Sequence, residues 1–484
     1  MTFLDNYLQT ENVIPLRVNG SKLSTNEIAG VMSPYSLNEI SKVHLADETE
    51  LANAISIAYD AFHSSQLPAH VRAKILDRAA LAIEERKEDF AKIIATEAGK
   101  PIKTARVEVE RAIQTFVFSA GVARTLAGEM IALEGHPSGE NKIAFTLREP
   151  IGVVAAIAPF NFPLNLVAHK LAPAIAAGCP VVLKPAHNTP LSSAALVDLL
   201  IDECGLPGEY LSFVPCTGQV ASSLSVNEKV AMISFTGSPG VGWSIKEKAY
   251  KKKVALELGN NAPVIIEADA DIDRVASLVA SSGYSFQGQS CISVQRVYVH
   301  QQVYEEFLSK LKIKVEQLVV GDPLDENTDV SALISPSETG RVADWVQSAV
   351  DSGARLISGG IRDDNGILLP VLLADTTDDM DVCRKEVFGP VVSVMAYEDL
   401  NSVIDRANDS AYGLQAAIFT QDISKALMAA RKLNFGGVLI NETPTYRADN
   451  MPYGGIKDSG NTKEGPAHTA KEMTIEKLVI INED

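Results

Sequence analysis

The stretch Ile151-Gly152-Val153-Val154-Ala155-Ala156-Ile157-Ala158-Pro159 leads into Pro163-Leu164-Asn165-Leu166-Val167-Ala168-His169-Lys170-Leu171, and then into Val181-Val182-Leu183-Lys184. The first apolar run, closed by proline, reads as a buried strand; the Ala- and Leu-rich segment to Gly178 reads as a helix, and the second run as another strand. Strand, helix, strand at this pitch is a βαβ crossover, and crossovers build parallel sheets with helices on both faces. The alternation continues through a helix at 191–204 and strands at 213–216 and 231–236. It restarts after Asn261, with strands at 264–266, 294–300, 391–397, 415–420 and 437–441 and helices at 303–319 and 338–353. The expected fold class is α/β, with two doubly wound parallel-sheet domains.

The flanks read differently. Asp47-Glu48-Thr49-Glu50 has the form of a capping box opening a helix. Residues 68–97 are expected as one long amphipathic helix and 102–126 as another, and Thr189-Pro190 as a cap followed by proline at the first helical position. Residues 128–146 look like a hairpin leaving the first domain. The β-prone tail at 473–481 can pair with that hairpin or across a subunit interface.

Composition narrows the function class. The chain has 484 residues, 46% hydrophobic and 21% charged, enough for two or three cores. Its net charge of −18 disfavours nucleic acid and anionic membranes as partners. No apolar run approaches the length of a membrane span, and residues 1–12 lack the pattern of a secretion leader. Five cysteines with no CxxC spacing point to reduced thiols in the cytoplasm. The eight histidines form no metal-binding motif, so no metal is expected.

Several segments carry candidate chemistry. Phe286-Gln287-Gly288-Gln289-Ser290-Cys291 sets a thiol behind a glycine, and a thiol becomes a strong nucleophile when a base takes its proton. Leu256-Glu257-Leu258-Gly259 offers Glu257 as that base, or as the group that activates water. Prolines on both sides of Phe160-Asn161-Phe162 mount an amide rigidly, as stabilising an oxyanion requires. Thr236-Gly237-Ser238-Pro239-Gly240-Val241-Gly242 follows a strand and opens a helix, where free N–H groups favour a pyrophosphate. Lys184 stands at the carboxyl edge of a strand, where ligands bind in open α/β sheets. Lys385-Glu386-Val387-Phe388 offers a carboxylate to ribose hydroxyls and an apolar wall. Met451-Pro452-Tyr453-Gly454-Gly455 begins a loop able to close over a substrate. Taken singly, each also fits a plain turn, a surface side chain or a buried apolar thiol.

In order and spacing, Asn161, Lys184, the 237–242 loop, Glu257, Cys291, Glu386 and the 451–460 loop resemble the aldehyde dehydrogenase superfamily over nearly the whole chain. The resemblance implies a Rossmann-like dinucleotide-binding domain over 1–126 and 147–258 and a catalytic domain over 259–460. It implies a small β arm for bridging and oligomerisation at 127–146 and 470–484. It makes Cys291 the nucleophile, Asn161 and the Cys291 N–H the oxyanion hole, and Glu257 the activator of water. It sets Lys184, His187, Gly218, Gly237, Ser238, Gly242, Glu386 and Phe388 around NAD or NADP, with Lys184 and Glu386 on the riboses and Ser238 on the pyrophosphate. One departure matters. His187 follows Lys184-Pro185-Ala186 where NAD-selective members often carry a glutamate. A carboxylate repels a 2′-phosphate and a histidine does not, so both cofactors are expected.

Arg148-Glu149-Pro150-Ile151-Gly152, Pro163-Leu164-Asn165-Leu166 and Cys291-Ile292-Ser293-Val294 resemble the branch that includes lactaldehyde, phosphonoacetaldehyde and non-phosphorylating glyceraldehyde-3-phosphate dehydrogenases. That implies oxidation of a small polar or anionic aliphatic aldehyde to its acid, through a thiohemiacetal and a hydrolysed thioester. Lactaldehyde, semialdehydes, sulfolactaldehyde and phosphonoacetaldehyde are of the expected kind. Arg111 and Arg447 are candidate partners for the anion, because a guanidinium donates two parallel hydrogen bonds. Phe162 and Ser290 complete the expected substrate contacts. A salt bridge within its acidic helix explains Arg111 equally well. A CoA-acylating relative and a catalytically silent binding or structural relative are the alternatives. Glu257 argues against the first, and the joint presence of Cys291, Asn161 and Glu257 against the second. A homodimer or homotetramer is expected.

Overall fold

The computed structural model describes residues 2–64, 66–360 and 366–483. Seven strands form the first sheet: β1 (Leu16–Val18), β2 (Ser21–Leu23), β3 (Val153–Ile157), β4 (Val181–Lys184), β5 (Leu211–Phe213), β6 (Val230–Thr236) and β7 (Lys253–Glu257). Their order is β7-β6-β3-β4-β5-β1-β2, parallel from β7 to β5 and antiparallel at the β1–β2 edge. β3 and β4 are buried along almost their whole length, as continuous apolar runs in a sheet covered on both faces must be. The covering helices include Glu48–Ser64, α2 (Asn165–Ala177) and α3 (Leu191–Asp202), and α1 (Ile102–Thr125) packs against α2. Every residue of α2 is buried, and the helix stops at Gly178, whose φ of 91° suits a residue without a side chain. α4 (Pro239–Lys248) leaves β6.

The second sheet also has seven strands: β8 (Ala262–Ile266), β9 (Val294–His300), β10 (Arg355–Ser358), β11 (Val371–Ala374), β12 (Val391–Tyr397), β13 (Gln415–Phe419) and β14 (Gly437–Ile440). It runs β10-β11-β12-β9-β8-β13-β14, with only the β10 edge antiparallel. α5 (Ile272–Tyr284) joins β8 to β9. Thr474–Asn482 pairs antiparallel with Lys142–Pro150, which also pairs with Met130–Ile131. The tail and the hairpin region therefore meet within one chain.

Several local expectations change. Residues 68–97 form two helices, Ala69–Glu85 and Lys87–Ala98, because Arg86 leaves helical geometry and its guanidinium takes the Ala82 carbonyl and Glu203. The strand expected at 213–216 lies earlier, as β5. Thr189 does not cap α3. Its hydroxyl donates to Phe160 O, and buried Glu97 accepts the Leu191 and Ser192 N–H groups instead, at 2.7 and 3.0 Å. The Asp47 capping box forms, with Glu50 N donating to Asp47 Oδ1 at 3.1 Å and Asp47 N donating to Glu50 Oε2 at 2.8 Å. Among the described residues no helix is long and apolar enough to cross a membrane, and all five cysteines are unpaired.

Candidate active site

The register of the first sheet lines up its carboxyl ends. Ile157 pairs with Lys184 and Thr236 with Glu257, so the Asn161 turn, Lys184, the Gly237 turn and Glu257 share one edge. That edge is where open α/β sheets bind ligands. The thiol arrives from the second sheet. After α5 the chain takes three consecutive positive φ angles, 48° at Phe286, 54° at Gln287 and 71° at Gly288. A Cβ on Gly288 would meet the Gly389 carbonyl oxygen at 2.0 Å, so only glycine fits there. Two non-glycine residues in this region cost about 1–2 kcal/mol each, so surrounding bonds must hold them. Gln287 Nε2 donates to Gly99 O (2.7 Å) and Ala332 O (2.8 Å), and Gln289 Oε1 accepts from Ile334 N (2.9 Å).

This loop delivers Cys291 to a cavity of about 530 Å³ that also reaches Asn161, His187, Gly237, Ser238, Glu257, Glu386 and Phe388. Asn161 Nδ2 donates one N–H to Gln289 O at 3.0 Å, tying the turn to the cysteine loop. An amide nitrogen carries two N–H groups, which leaves one for a substrate oxygen. Cys291 Sγ lies 2.9 Å from the Tyr453 hydroxyl. Burial pushes the thiol up to about 12, despite the Tyr453 bond and the nearby Arg447 guanidinium. Glu257 is buried with neither carboxylate oxygen hydrogen-bonded. Burial, reinforced by Glu464, holds its carboxyl well above the usual range, against the pull of Arg447 and Lys170. Burial likewise pushes Glu386 up to about 7, although one of its oxygens accepts Asn260 N at 2.9 Å.

Lys184 and Gly218 lie in a separate cavity of about 400 Å³, with Gly240 and Val241 of α4. The 235–241 turn borders both spaces. Gly242 reaches neither. A Cβ there would meet Leu258 Cδ2 at 2.5 Å, so this glycine seats α4 against the chain leaving β7. Arg111, Phe162, Ser290 and Arg447 line a third cavity, of about 410 Å³. Both arginines already carry partners. Arg111 donates to Asp449 through Nε (3.2 Å) and Nη2 (2.9 Å), and Arg447 pairs with Glu464 while lying 3.8 Å over the Tyr453 ring. Arg111 keeps 20% of its side chain exposed against 4% for Arg447.

A model of the aldehyde dehydrogenase family matches residues 22–479. This chain belongs to that family. The 3-sulfolactaldehyde dehydrogenase of Priestia aryabhattai is 46% identical over 468 residues, 96% of this chain and 98% of that protein. The structure of aldehyde dehydrogenase 21 from Physcomitrella patens in complex with the reaction product succinate is 36% identical, with a TM-score of 0.94 over 98% of each chain. The glyceraldehyde-3-phosphate dehydrogenase of Methanocaldococcus jannaschii complexed with NADP is 40% identical, with a TM-score of 0.91 over 95% of this chain and all of that one.

Within this family member, the sequence reading missed the side chains behind the site. Lys170 donates to Thr236 Oγ1 at 2.7 Å, and burial lowers the pKa of its ammonium. His169 Nε2 lies 2.9 Å from Asp449 Oδ1 and 3.2 Å from Arg447 Nη2. These groups link Arg111 and Arg447 to the surroundings of Glu257. His169 and Lys170 fall in the apolar run of α2, where only their polarity against that background marks them in sequence.

Proposed function

We propose that this aldehyde dehydrogenase oxidises a small anionic or polar aliphatic aldehyde to its acid, with NAD or NADP as acceptor. The observation that carries the reading is the convergence of Cys291, Asn161 and Glu257 on one cavity next to the 235–241 turn. Cys291 Sγ attacks the carbonyl carbon as its proton passes to water in the cavity, which carries it to solvent. The oxyanion accepts the free Asn161 N–H and the Cys291 backbone N–H. When bound, the nicotinamide supplies the acceptor for the hydrogen and electron pair that the thiohemiacetal carbon gives up. The thioester left on Cys291 is hydrolysed by water that Glu257 deprotonates, which frees the acid and restores the thiol. A coenzyme A acceptor is not favoured, because Glu257 shares the cavity with the thiol.

The chain fits a dinucleotide on its own geometry. Ser238 heads α4 with no side-chain cap on the helix N-terminus, and a Cβ at Gly218 or Gly240 would meet nothing within 4 Å. Lys184 and Glu386 flank these positions as hydrogen-bonding groups for ribose hydroxyls. His187 is exposed beside the larger cavity, where it tolerates a 2′-phosphate. We assign residues 1–126 and 147–258 to dinucleotide binding, 259–460 to catalysis, and 127–146 with 470–484 to the arm. The arm exposes Ile143, Ile475, Leu478, Ile480 and Ile481, an apolar set that suits burial in a homodimer or homotetramer. A monomeric mass by light scattering would refute that assembly. Five unpaired thiols suit the cytoplasm.

Arg111 and Arg447 on one cavity select the anionic aldehydes within the class. Reduced-cofactor formation should be measured with NAD and NADP across lactaldehyde, propanal, succinic semialdehyde, and sulfonated and phosphonated aldehydes. Arg111→Leu is expected to raise KM for the anionic substrates about 10- to 100-fold, the worth of a hydrogen bond to a charged group. KM for propanal should stay within about threefold on the same reasoning. Equal losses on charged and neutral aldehydes would remove Arg111 from substrate recognition.

A further inference from the structure

We propose that Lys100 is a positioning residue for the oxyanion hole, holding the Asn161 main chain in register with the cysteine loop. The inference rests on the roles given above to Asn161 and Cys291. Lys100 is fully buried, and its ammonium donates to the Asn161 carbonyl oxygen at 2.7 Å. The same nitrogen pairs with the buried carboxylate of Glu108. It also lies 3.8 Å from the centre of the Phe162 ring and 4.2 Å from that of Phe286. Three elements distant in sequence thus meet on one cation: α1 through Glu108, the Asn161 turn, and the left-handed loop that leads to Cys291.

The arrangement fixes the turn at both ends. Glu108 Oε1 accepts from Leu164 N at 2.9 Å and Asn165 N at 3.1 Å, which pins the start of α2. Lys100 pins Asn161 at the other end. The free Asn161 N–H is therefore aimed by a main chain anchored to an ion pair, and Gln289 O anchors its amide. Burying a charge pair is seldom a route to stability, since apolar side chains of similar size do as well or better. What the pair offers here is direction: hydrogen bonds to three named main-chain atoms around the reacting centre.

Steady-state kinetics and dinucleotide binding on the full chain test this. Asn161→Ala removes one oxyanion donor and is expected to lower kcat about 10²- to 10³-fold. Lys100→Met should lower kcat about 10- to 100-fold through misplacement of that donor, with aldehyde KM and dinucleotide Kd within about threefold. With Asn161 already alanine, Lys100→Met should cost almost nothing more. The pair K100M/E108Q keeps an acceptor for the Leu164 and Asn165 N–H groups, leaves no unpaired buried charge, and should reproduce the loss even where the single variant does not fold. Full multiplication of the Lys100 and Asn161 losses, or a loss carried by KM or Kd, overturns the proposal. An unaltered protein that oxidises none of the aldehydes, or an Asn161→Ala variant as fast as it, overturns the reading of the site instead.

Discussion

Cys291→Ala is expected to lower aldehyde-dependent cofactor reduction by at least about 10⁴-fold, the scale of losing a covalent nucleophile. Dinucleotide binding should survive, since Lys184, Gly218, Gly240 and Val241 lie in another cavity. The pH behaviour of the same thiol is equally specific. With burial pushing it up to about 12, the thiol is held in its protonated form at pH 7. A raised thiol pKa means protonation is favoured until the pH approaches it. Alkylation of Cys291 in the free protein, followed by mass spectrometry, should therefore accelerate about tenfold per pH unit from 7 to 9 without a plateau. A plateau below pH 8 would show a thiolate already formed, and the site would then have no need of a base for the attack. Turnover in the alanine variant well above that residual level would end the covalent mechanism altogether.

The residues that make this site were legible to different depths. The 151–184 crossover was readable because strand and helix there are written locally, in apolar runs cut by proline and glycine. The Asp47 box was readable for the same reason. Cys291 had nothing local to mark it among five cysteines; Asn161, Glu257 and the glycine turn, at fixed order along the chain, gave it meaning. What escaped the reading depends on contacts between distant segments. Tyr453 meets Cys291 only after the 451–460 loop folds over, and Glu97 caps α3 from a different helix. Glu108 reads as an ordinary charge on a helix, and Lys100 as one in the connection before it, until their burial is seen. The left-handed run at Phe286 and Gln287 runs against the local preference of both residues, so no propensity announces it. Gly242 belongs to the turn motif, and the tight fit of its backbone against Leu258 is a packing constraint that the motif alone does not announce.

Glu257→Gln is expected to separate the two halves of the reaction. The amide matches the carboxylate in size but cannot take a proton, so hydrolysis of the thioester should slow about 10²- to 10⁴-fold. Acylation of Cys291 should still occur. A first burst of reduced cofactor, one equivalent per subunit, should then be followed by a stall, with the acyl adduct on Cys291 visible by mass. The unaltered enzyme carries a second signature. Glu257 is held above the usual carboxylate range by burial and by Glu464. As the base it must be ionised, so the deacylation rate should rise with pH through that elevated value and level off above it. In the glutamine variant this rising limb should vanish, because no titrating group remains at the position. Loss of the burst along with turnover would assign Glu257 to the earlier step, taking the proton of a thiol that burial keeps protonated.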